Sequence, residues 1–261
     1  MYATERHALI LERITQHGKV AVRELASDLD VTPETIRRDL DQLELESLVR
    51  RVHGGAVGNS LGSLAETAVA ERQPLNHDAK VRIGEAAERL IPRGFNGSIL
   101  IDAGTTTAEI AAALVRRPAD ELAKLQVISN SLPILALLAA RSELTTIAIG
   151  GRVRGLTSAA VGPNALTQLA ALRPDLAFIG TNGISAEFGL STPDPDEAAV
   201  KSAMCRGARR VVVAVDASKF DQDALTHIAA LSSVDALVTD QPPRTALAAA
   251  LTENDVEAVL A

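Results

Sequence analysis

Residues 31–55 read V-T-P-E-T-I-R-R-D-L-D-Q-L-E-L-E-S-L-V-R-R-V-H-G-G, and no other stretch narrows so far what the chain can fold into. Thr32 is suited to cap a helix whose first position is Pro33, where the missing N–H costs nothing. Ile36, Leu40 and Leu43 recur at the spacing of a buried helical stripe. Glu34, Arg38, Asp41 and Gln42 face the opposite way, flanked by Thr35 and Arg37. Asp39 lies beside the apolar stripe, which makes it a structural residue orienting an arginine. Leu48–Val52 and Ala56-Val57 read as short β segments joined through His53-Gly54-Gly55, whose glycines supply the positive φ of a hairpin turn.

Upstream, residues 4–17 read as a first helix, capped by Thr4 and stopped by Gly18. Lys19–Val22 reads as a short strand, Arg23–Leu29 as a second helix and Asp30-Val31 as a tight connection. Residues 3–58 therefore predict a winged helix-turn-helix. Its third helix fits the major groove of double-stranded DNA, with Thr32, Thr35, Arg37 and Arg38 nearest the base edges. Arg50, Arg51 and His53 on the wing are expected at the phosphate backbone or minor groove. Bulk charge gives this reading no help. The chain carries a net −7, and residues 1–57 hold eight basic side chains against ten acidic ones. Affinity must then come from local placement of charge and from several heads acting together, so a homo-oligomer, dimer or tetramer, is expected.

Residues 59–75 are mixed and weakly periodic and are expected to link two domains. From residue 76 to 261 helical stretches alternate with apolar β-rich runs: Ser98–Ile101, Val127–Ser129, Thr145–Ile149, Leu176–Ile179, Val211–Val215 and Ala236–Thr239. Helices are expected near 79–91, 106–116, 132–140, 163–172, 194–206 and 243–252. This alternation predicts an α/β domain with a mostly parallel sheet and helices on both faces, binding its ligand at the carboxyl ends of the strands.

Those ends carry a polar constellation. The first run ends in Asp102-Ala103-Gly104-Thr105-Thr106-Thr107 and enters a helix. Gly104 permits a close turn, and hydroxyls converge with helix N-terminal N–H groups, which suits a phosphate. The glycine-lysine pair of a Walker loop is missing. Neighbouring runs end in Asn130-Ser131, in Gly150-Gly151-Arg152 and in Gly180-Thr181-Asn182-Gly183. Asp194, Glu197 and Lys201 follow on a helix, and Lys219 lies in Asp216-Ala217-Ser218-Lys219. Aromatics make up only 2% of the chain, so recognition is expected through hydrogen bonds rather than stacking. One cysteine, Cys205, excludes a disulfide framework and a cysteine-rich zinc site. The apolar runs are too short to span a bilayer and the first residues have no signal-peptide core, so a cytoplasmic protein with no membrane contact is expected.

Thr35-Ile36-Arg37-Arg38-Asp39-Leu40, followed by Arg51-Val52-His53-Gly54-Gly55-Ala56, closely resembles the winged head of the DeoR family of bacterial transcription regulators. Thr32 stands where the family often has serine, and Ser47 where glycine is usual. The motifs D-A-G-T-T-T, S-N-S, I-G-G-R, G-T-N-G, E-A-A-V-K and D-A-S-K resemble the sensor domain of the same family, whose architecture is that of ribose-5-phosphate isomerase and glucosamine-6-phosphate deaminase. The stretch Gly189–Lys201 is most similar to the branch governing phosphotransferase sugar uptake, such as fructose. The resemblance implies a repressor released from operator DNA by a phosphorylated sugar, fructose 1-phosphate or fructose 6-phosphate, with no cofactor, metal or catalytic residue. The competing reading is an isomerase-like enzyme with an accessory head, in which Asp102, Glu197 and Lys201 do acid-base work. It is disfavoured because no histidine lies near these motifs and fold alone confers no activity.

Overall fold

The structure, a computed structural model, describes residues 3–45, 48–52, 54–58, 66, 68–243 and 245–261. The chain divides into two compact units between Ala65 and Glu66.

The first unit runs α1 (Ala3–His17), β1 (Lys19–Ala21), α2 (Val22–Asp28), α3 (Pro33–Leu45), β2 (Val49–Val52) and β3 (Gly55–Gly58). Its helix begins at Ala3, so Thr4 lies within the first turn rather than before it as the expected cap. Gly18 ends α1 in the left-handed region, at φ 74°. The core is Ile10 and Ile14 of α1, Leu25 of α2 and the Ile36, Leu40, Leu43 stripe of α3. Asp39 is buried beside that stripe. It accepts from Arg6 Nε at 2.5 Å and Nη2 at 2.8 Å, and lies 3.0 Å from His7 Nε2. Burial pushes the Asp39 carboxyl up, but the hydrogen bonds from Arg6 and His7 outweigh it and hold the group below its ordinary value. The pair pins α3 to α1 independently of apolar packing.

The wing is a three-stranded sheet in the order β1-β3-β2. Val52 pairs with Gly55 across the turn, and Ala21 pairs with Gly55 on the other side. Gly54 supplies the positive φ, 84°. Gly55 is required for a different reason. A Cβ there would lie 1.9 Å from the carbonyl oxygen of Val20.

The second unit opens with α4 (Val69–Arg72) and α5 (His77–Glu88), then β4 (Gly97–Ile101), α6 (Thr105–Leu114), α7 (Ala119–Leu122), β5 (Leu125–Ser129), α8 (Leu132–Ala139) and β6 (Thr145–Ala148). A hairpin, β7 (Arg152–Arg154) and β8 (Ala159–Val161), leads to α9 (Pro163–Ala170), β9 (Leu176–Ile179), β10 (Gly183–Ser185) and β11 (Gly189–Thr192). The chain closes with α10 (Pro195–Gly207), β12 (Val211–Ala214), β13 (Thr226–Ala229), β14 (Ala236–Thr239), α11 (Thr245–Glu253) and β15 (Glu257–Leu260). The connector expected at 59–75 is described only in part. Residues 59–65 and 67 lie outside the described residues, whereas Glu66 and α4 belong to the second unit, where the backbone N–H of Val69 donates to Leu156 O at 3.0 Å.

Seven strands form one sheet in the order β15-β14-β12-β9-β4-β5-β6, and every neighbouring pair is parallel. Buried side chains fill both faces. Leu100, Ile128 and Val213 lie in one cluster, and Ile99, Ile101, Val127 and Phe178 in the other. Strands covered on both sides need continuous apolar sequence, which is why the runs do not alternate. From β4 the chain winds through β5 to β6, then returns to β9 on the other side of β4 and continues outward. The order thus reverses between β4 and β9, and a crevice opens at their carboxyl ends. Close contact of α5 with α6 rests on Gly84, where a Cβ would lie 2.7 Å from the carbonyl carbon of Glu109.

Replacing Gly55 with alanine should cost the first unit ~3 kcal/mol or more, because backbone rather than a yielding side chain occupies the space. Calorimetry of the full chain checks this; unchanged unfolding would show that β1 and β3 separate without loss.

Candidate functional site

In the first unit Thr32 Oγ1 accepts from the backbone N–H of Thr35 at 3.2 Å, the expected cap of α3. The two hydroxyls are 2.9 Å apart. Arg37 donates to Glu34 at 3.1 Å, while Arg38 stands 4.0 Å from the same carboxylate with 81% of its side chain exposed. Arg38 is thus a cation held only loosely by its own helix. Arg51 differs. Its backbone N–H donates to Glu44 Oε1 at 2.7 Å, and its guanidinium lies 3.4 Å from Asp41, so it ties the wing to α3. Arg51 Nη1 is buried with no hydrogen-bond partner. Arg50 lies in β2 opposite Val57. His53 lies outside the described residues.

In the second unit the crevice between β4 and β9 is built around Asp102, which has no exposed surface. Its Oδ2 accepts from the backbone N–H of Gly180, just beyond β9, at 2.9 Å, and from Lys201 Nζ of α10. Lys201 also donates to Gly180 O at 3.0 Å. One ion pair therefore joins two strand ends and a helix. Asp102 Oδ1 is buried without a hydrogen-bond partner. Gly104 precedes α6, and a Cβ there would meet Thr107 Oγ1 at 2.9 Å. Thr105 and Thr106 stand in the first turn of α6 with its N–H groups. The Thr107 hydroxyl turns inward, donating to Asp102 O at 3.0 Å and lying 3.1 Å from Gly104 O, so it braces the loop. Asn130 follows β5, beside Asp102. Its Nδ2 donates to Ala160 O at 3.0 Å, and its Oδ1 is buried without a partner.

The other predicted residues fall into two groups. Glu197 and Lys201 do not pair with each other despite their spacing on α10. Glu197 accepts from Arg154 Nη1 at 2.6 Å and from the Thr157 hydroxyl. Asp194 caps α10 by accepting from Glu197 N at 2.9 Å, and its other oxygen lies 3.2 Å from Arg154 Nη2. Lys219 ends a single 3-10 turn, Ala217–Lys219, capped by Asp216. Gly151 and Asn182 hold local structure together. A Cβ on Gly151 would lie 2.6 Å from Val161 O, and Asn182 Oδ1 accepts from Thr192 at 3.0 Å.

Sequence reading missed Glu66, Arg72, Lys80 and Arg154. Lys80 is buried on α5, and its ammonium donates to Arg72 O at 2.5 Å. Burial lowers it to about 8, against the pull of Asp216, with Lys219 and Arg72 as cationic neighbours. A trace of this was readable, because Lys80 shares its helix face with Ile83, Gly84 and Ala87. Burial also lowers the Arg72 guanidinium, on which Glu197, Glu66, Arg154 and Asp102 all act, and Arg72 Nε is buried without a partner. Arg154 is held above the ordinary arginine value, first by its hydrogen bond with Glu66 and then by Glu197. Cys205, near Asp102 and Lys201, is pushed up to about 12 by burial and is no thiolate nucleophile. Cationic groups thus gather beside α5, while unfilled acceptors gather at the ends of β4 and β5.

Replacing Lys201 with methionine should cost ~3–5 kcal/mol, because it strands the buried Asp102 charge. Adding Asp102→Asn should recover most of that loss in urea unfolding; additive losses would show that the two groups do not act as a pair.

Residues 6–61 match the DeoR-like helix-turn-helix domain, and residues 75–241 match the DeoR C terminal sensor domain. The chain is 32% identical over 257 residues, 98% of each chain, to the glycerol-3-phosphate regulon repressor of Escherichia coli (strain K12). It is 34% identical over 240 residues, 92% of each chain, to the uncharacterized HTH-type transcriptional regulator FruR of Bacillus subtilis (strain 168). Among solved structures it is similar to ribose 5-phosphate isomerase A from Methanocaldococcus jannaschii, at 20% identity and a TM-score of 0.41, over 56% of this chain and 55% of that one. Among the described residues no helix is long and apolar enough to cross a membrane. With both of its domains matched and relatives above 30% identity along nearly its whole length, the chain belongs to the DeoR family of transcriptional regulators.

Proposed function

We propose that the protein is a repressor that reads operator DNA through α3 and the wing and lets go when a phosphorylated sugar fills the crevice of the second unit. The observation that carries this reading is the unmatched polar set in that crevice. Arg72 Nε, Asp102 Oδ1 and Asn130 Oδ1 are buried without hydrogen-bond partners. Each such group costs roughly 1–3 kcal/mol. A phosphorylated sugar satisfies all of them, its phosphate meeting Arg72, Lys80 and Lys219 and its hydroxyls donating to Asp102 and Asn130. The first turn of α6 adds N–H groups for the same anion. The isomerase reading has less support, since Asp102 and Lys201 neutralise one another and Glu197 is already bound by Arg154 and Thr157. Fructose 1-phosphate and fructose 6-phosphate are the first effector candidates. Glycerol 3-phosphate joins them, because the Escherichia coli relative is named for its regulon.

In the head, exposed Arg38 is the base-reading candidate, with Thr32, Thr35 and Arg37 beside it. Arg50, Arg51 and His53 are the wing's candidates for backbone contact. A head carrying more acids than bases needs company, so the working form is an oligomer.

Arg38→Ala should weaken operator binding by ~1–3 kcal/mol and relax the preference at one base position. A base-substitution scan with an unchanged profile would remove Arg38 from readout.

Thermal shift against the three phosphorylated compounds and free fructose tests the effector. At least one phosphorylated compound should stabilise the protein, release operator DNA and remain unconverted. No shift with any of them, or steady turnover, would sink the reading. Proton linkage adds a check. Burial holds Lys80 at about 8, below its ordinary 10.5, so it opposes folding in full below about 8, and the penalty fades as pH rises toward 10.5. A phosphate favours the charged form. Binding should therefore take up protons near pH 8 and weaken as pH rises from about 7 to about 9. Calorimetry in two buffers measures the uptake, and Lys80→Met should abolish it.

A further inference from the structure

Resting on the effector reading above, we propose that Glu66 and Arg154 form a latch through which occupancy of the crevice is felt by the chain segment leading to the head. Glu66 is the first residue of the second unit. Its two carboxylate oxygens accept from Arg154, Oε2 from Nη2 at 2.7 Å and Oε1 from Nη1 at 3.0 Å. Arg154 also binds Glu197 and Asp194 of the α10 N-terminus. The Arg154, Glu66 and Glu197 side chains are only 13%, 8% and 6% exposed. A two-pronged guanidinium–carboxylate contact fixes direction as well as charge. Here it fixes the first residue of the unit to the hairpin that also accepts the Val69 N–H.

Three carboxylates surround this one guanidinium. A second cation, Arg72, feels the charge of two of them, Glu197 and Glu66. Arg72 lies on α4, the short helix that follows Glu66. A phosphate that recruits Arg72 withdraws its compensation from Glu197 and Glu66. Arg154 is then left with more negative charge than it can neutralise in a buried setting. Asp194 cannot leave, because it caps α10, and Glu197 is also bound by Thr157. Glu66 is the member without a second anchor on a long helix, so Glu66 is the one released. Its release is transmitted along the chain toward the head, and operator binding weakens. Lys201, which binds Asp102, stands one turn beyond Glu197 on α10, so contact with the hydroxyl side of the ligand pulls on the same helix.

The test uses the full-length Glu66→Gln variant, with Arg154→Lys as a second variant that keeps the charge and loses the two-pronged contact. Operator affinity is measured with and without whichever sugar phosphate binds the wild type, effector affinity by calorimetry, and hydrogen exchange over residues 59–72. In the wild type the effector should lower operator affinity by roughly 5- to 150-fold. In Glu66→Gln the ratio should fall below about 2-fold, because operator affinity is already reduced without effector. Effector binding should persist, at least as tight as in the wild type, since linkage is reciprocal. Exchange over 59–72 should be faster in the empty variant and resemble that of the liganded wild type. A full wild-type ratio in both variants would overturn the latch. So would loss of effector binding together with the ratio, which would make Glu66 part of the site instead. If no sugar phosphate moves the wild type, the effector reading falls, and the latch is still judged by exchange and operator affinity of the empty proteins: no change in either would overturn it too.

Discussion

The second unit is organised around a fully buried carboxylate, that of Asp102. Asp102 sits where the strand order reverses, so the backbone behind it leads toward β5 on one side and β9 on the other. A charge in that position requires compensation, and Lys201 together with the Gly180 N–H supplies it. The same requirement fixes α10 against the sheet. Hydrophobic burial on both faces gives the sheet its cohesion, but it is non-directional. The ion pair is directional, and it decides which turn of α10 faces the crevice. Because Asp194 and Glu197 precede Lys201 on that helix, the Asp102 contact also sets where they meet Arg154.

Much of this was legible in the sequence. Thr32, Pro33 and the Ile36, Leu40, Leu43 stripe announced α3, because cap chemistry and helical period act within one turn. The apolar runs announced the inner strands, and their polar ends announced Asp102 and Asn130 in the loops after β4 and β5. What escaped depended on distant partners. Glu66 and Arg154 are 88 positions apart, and neither stands in a distinctive local pattern. The edge strand Glu257–Leu260 was hidden because one of its flanks is open and its residues are largely exposed. Strands β10, β11 and β13 are short antiparallel pieces lying among turn-forming residues, so no run of sufficient length marked them. Residues 68–75 lacked periodicity because α4 is a single turn and makes its contacts through charges and one backbone hydrogen bond.

Glu197 and Lys201 stand one helical turn apart on α10, yet they do not pair. An i,i+4 Glu–Lys on an exposed helix is worth a few tenths of a kcal/mol. Here both side chains are buried, and each finds a stronger partner off the helix. Lys201 meets a fully buried carboxylate, and Glu197 meets a guanidinium that already serves two other acids. Sequence spacing reports which groups can meet along one helix; burial decides whether they do.

The head and the sensor use buried charge in opposite ways. In the head, Asp39 has both of its oxygens engaged by Arg6 and His7, a closed arrangement that holds α1 and α3 in one geometry. A rigid reader is what base recognition needs, since a misplaced helix loses the bidentate contacts that carry specificity. In the sensor, the charges around Asp102, Arg72 and Lys80 are incompletely matched, and the mismatch is a cost the empty protein carries. A fully satisfied network would leave a ligand nothing to gain from the buried groups. On the proposed effector reading, the buried Arg72 Nε, Asp102 Oδ1 and Asn130 Oδ1 convert part of the folding free energy into binding free energy, released when a ligand partners them. Because Glu197 shares Arg154 with Glu66, the proposed latch would couple part of that gain to Glu66 rather than to the pocket alone.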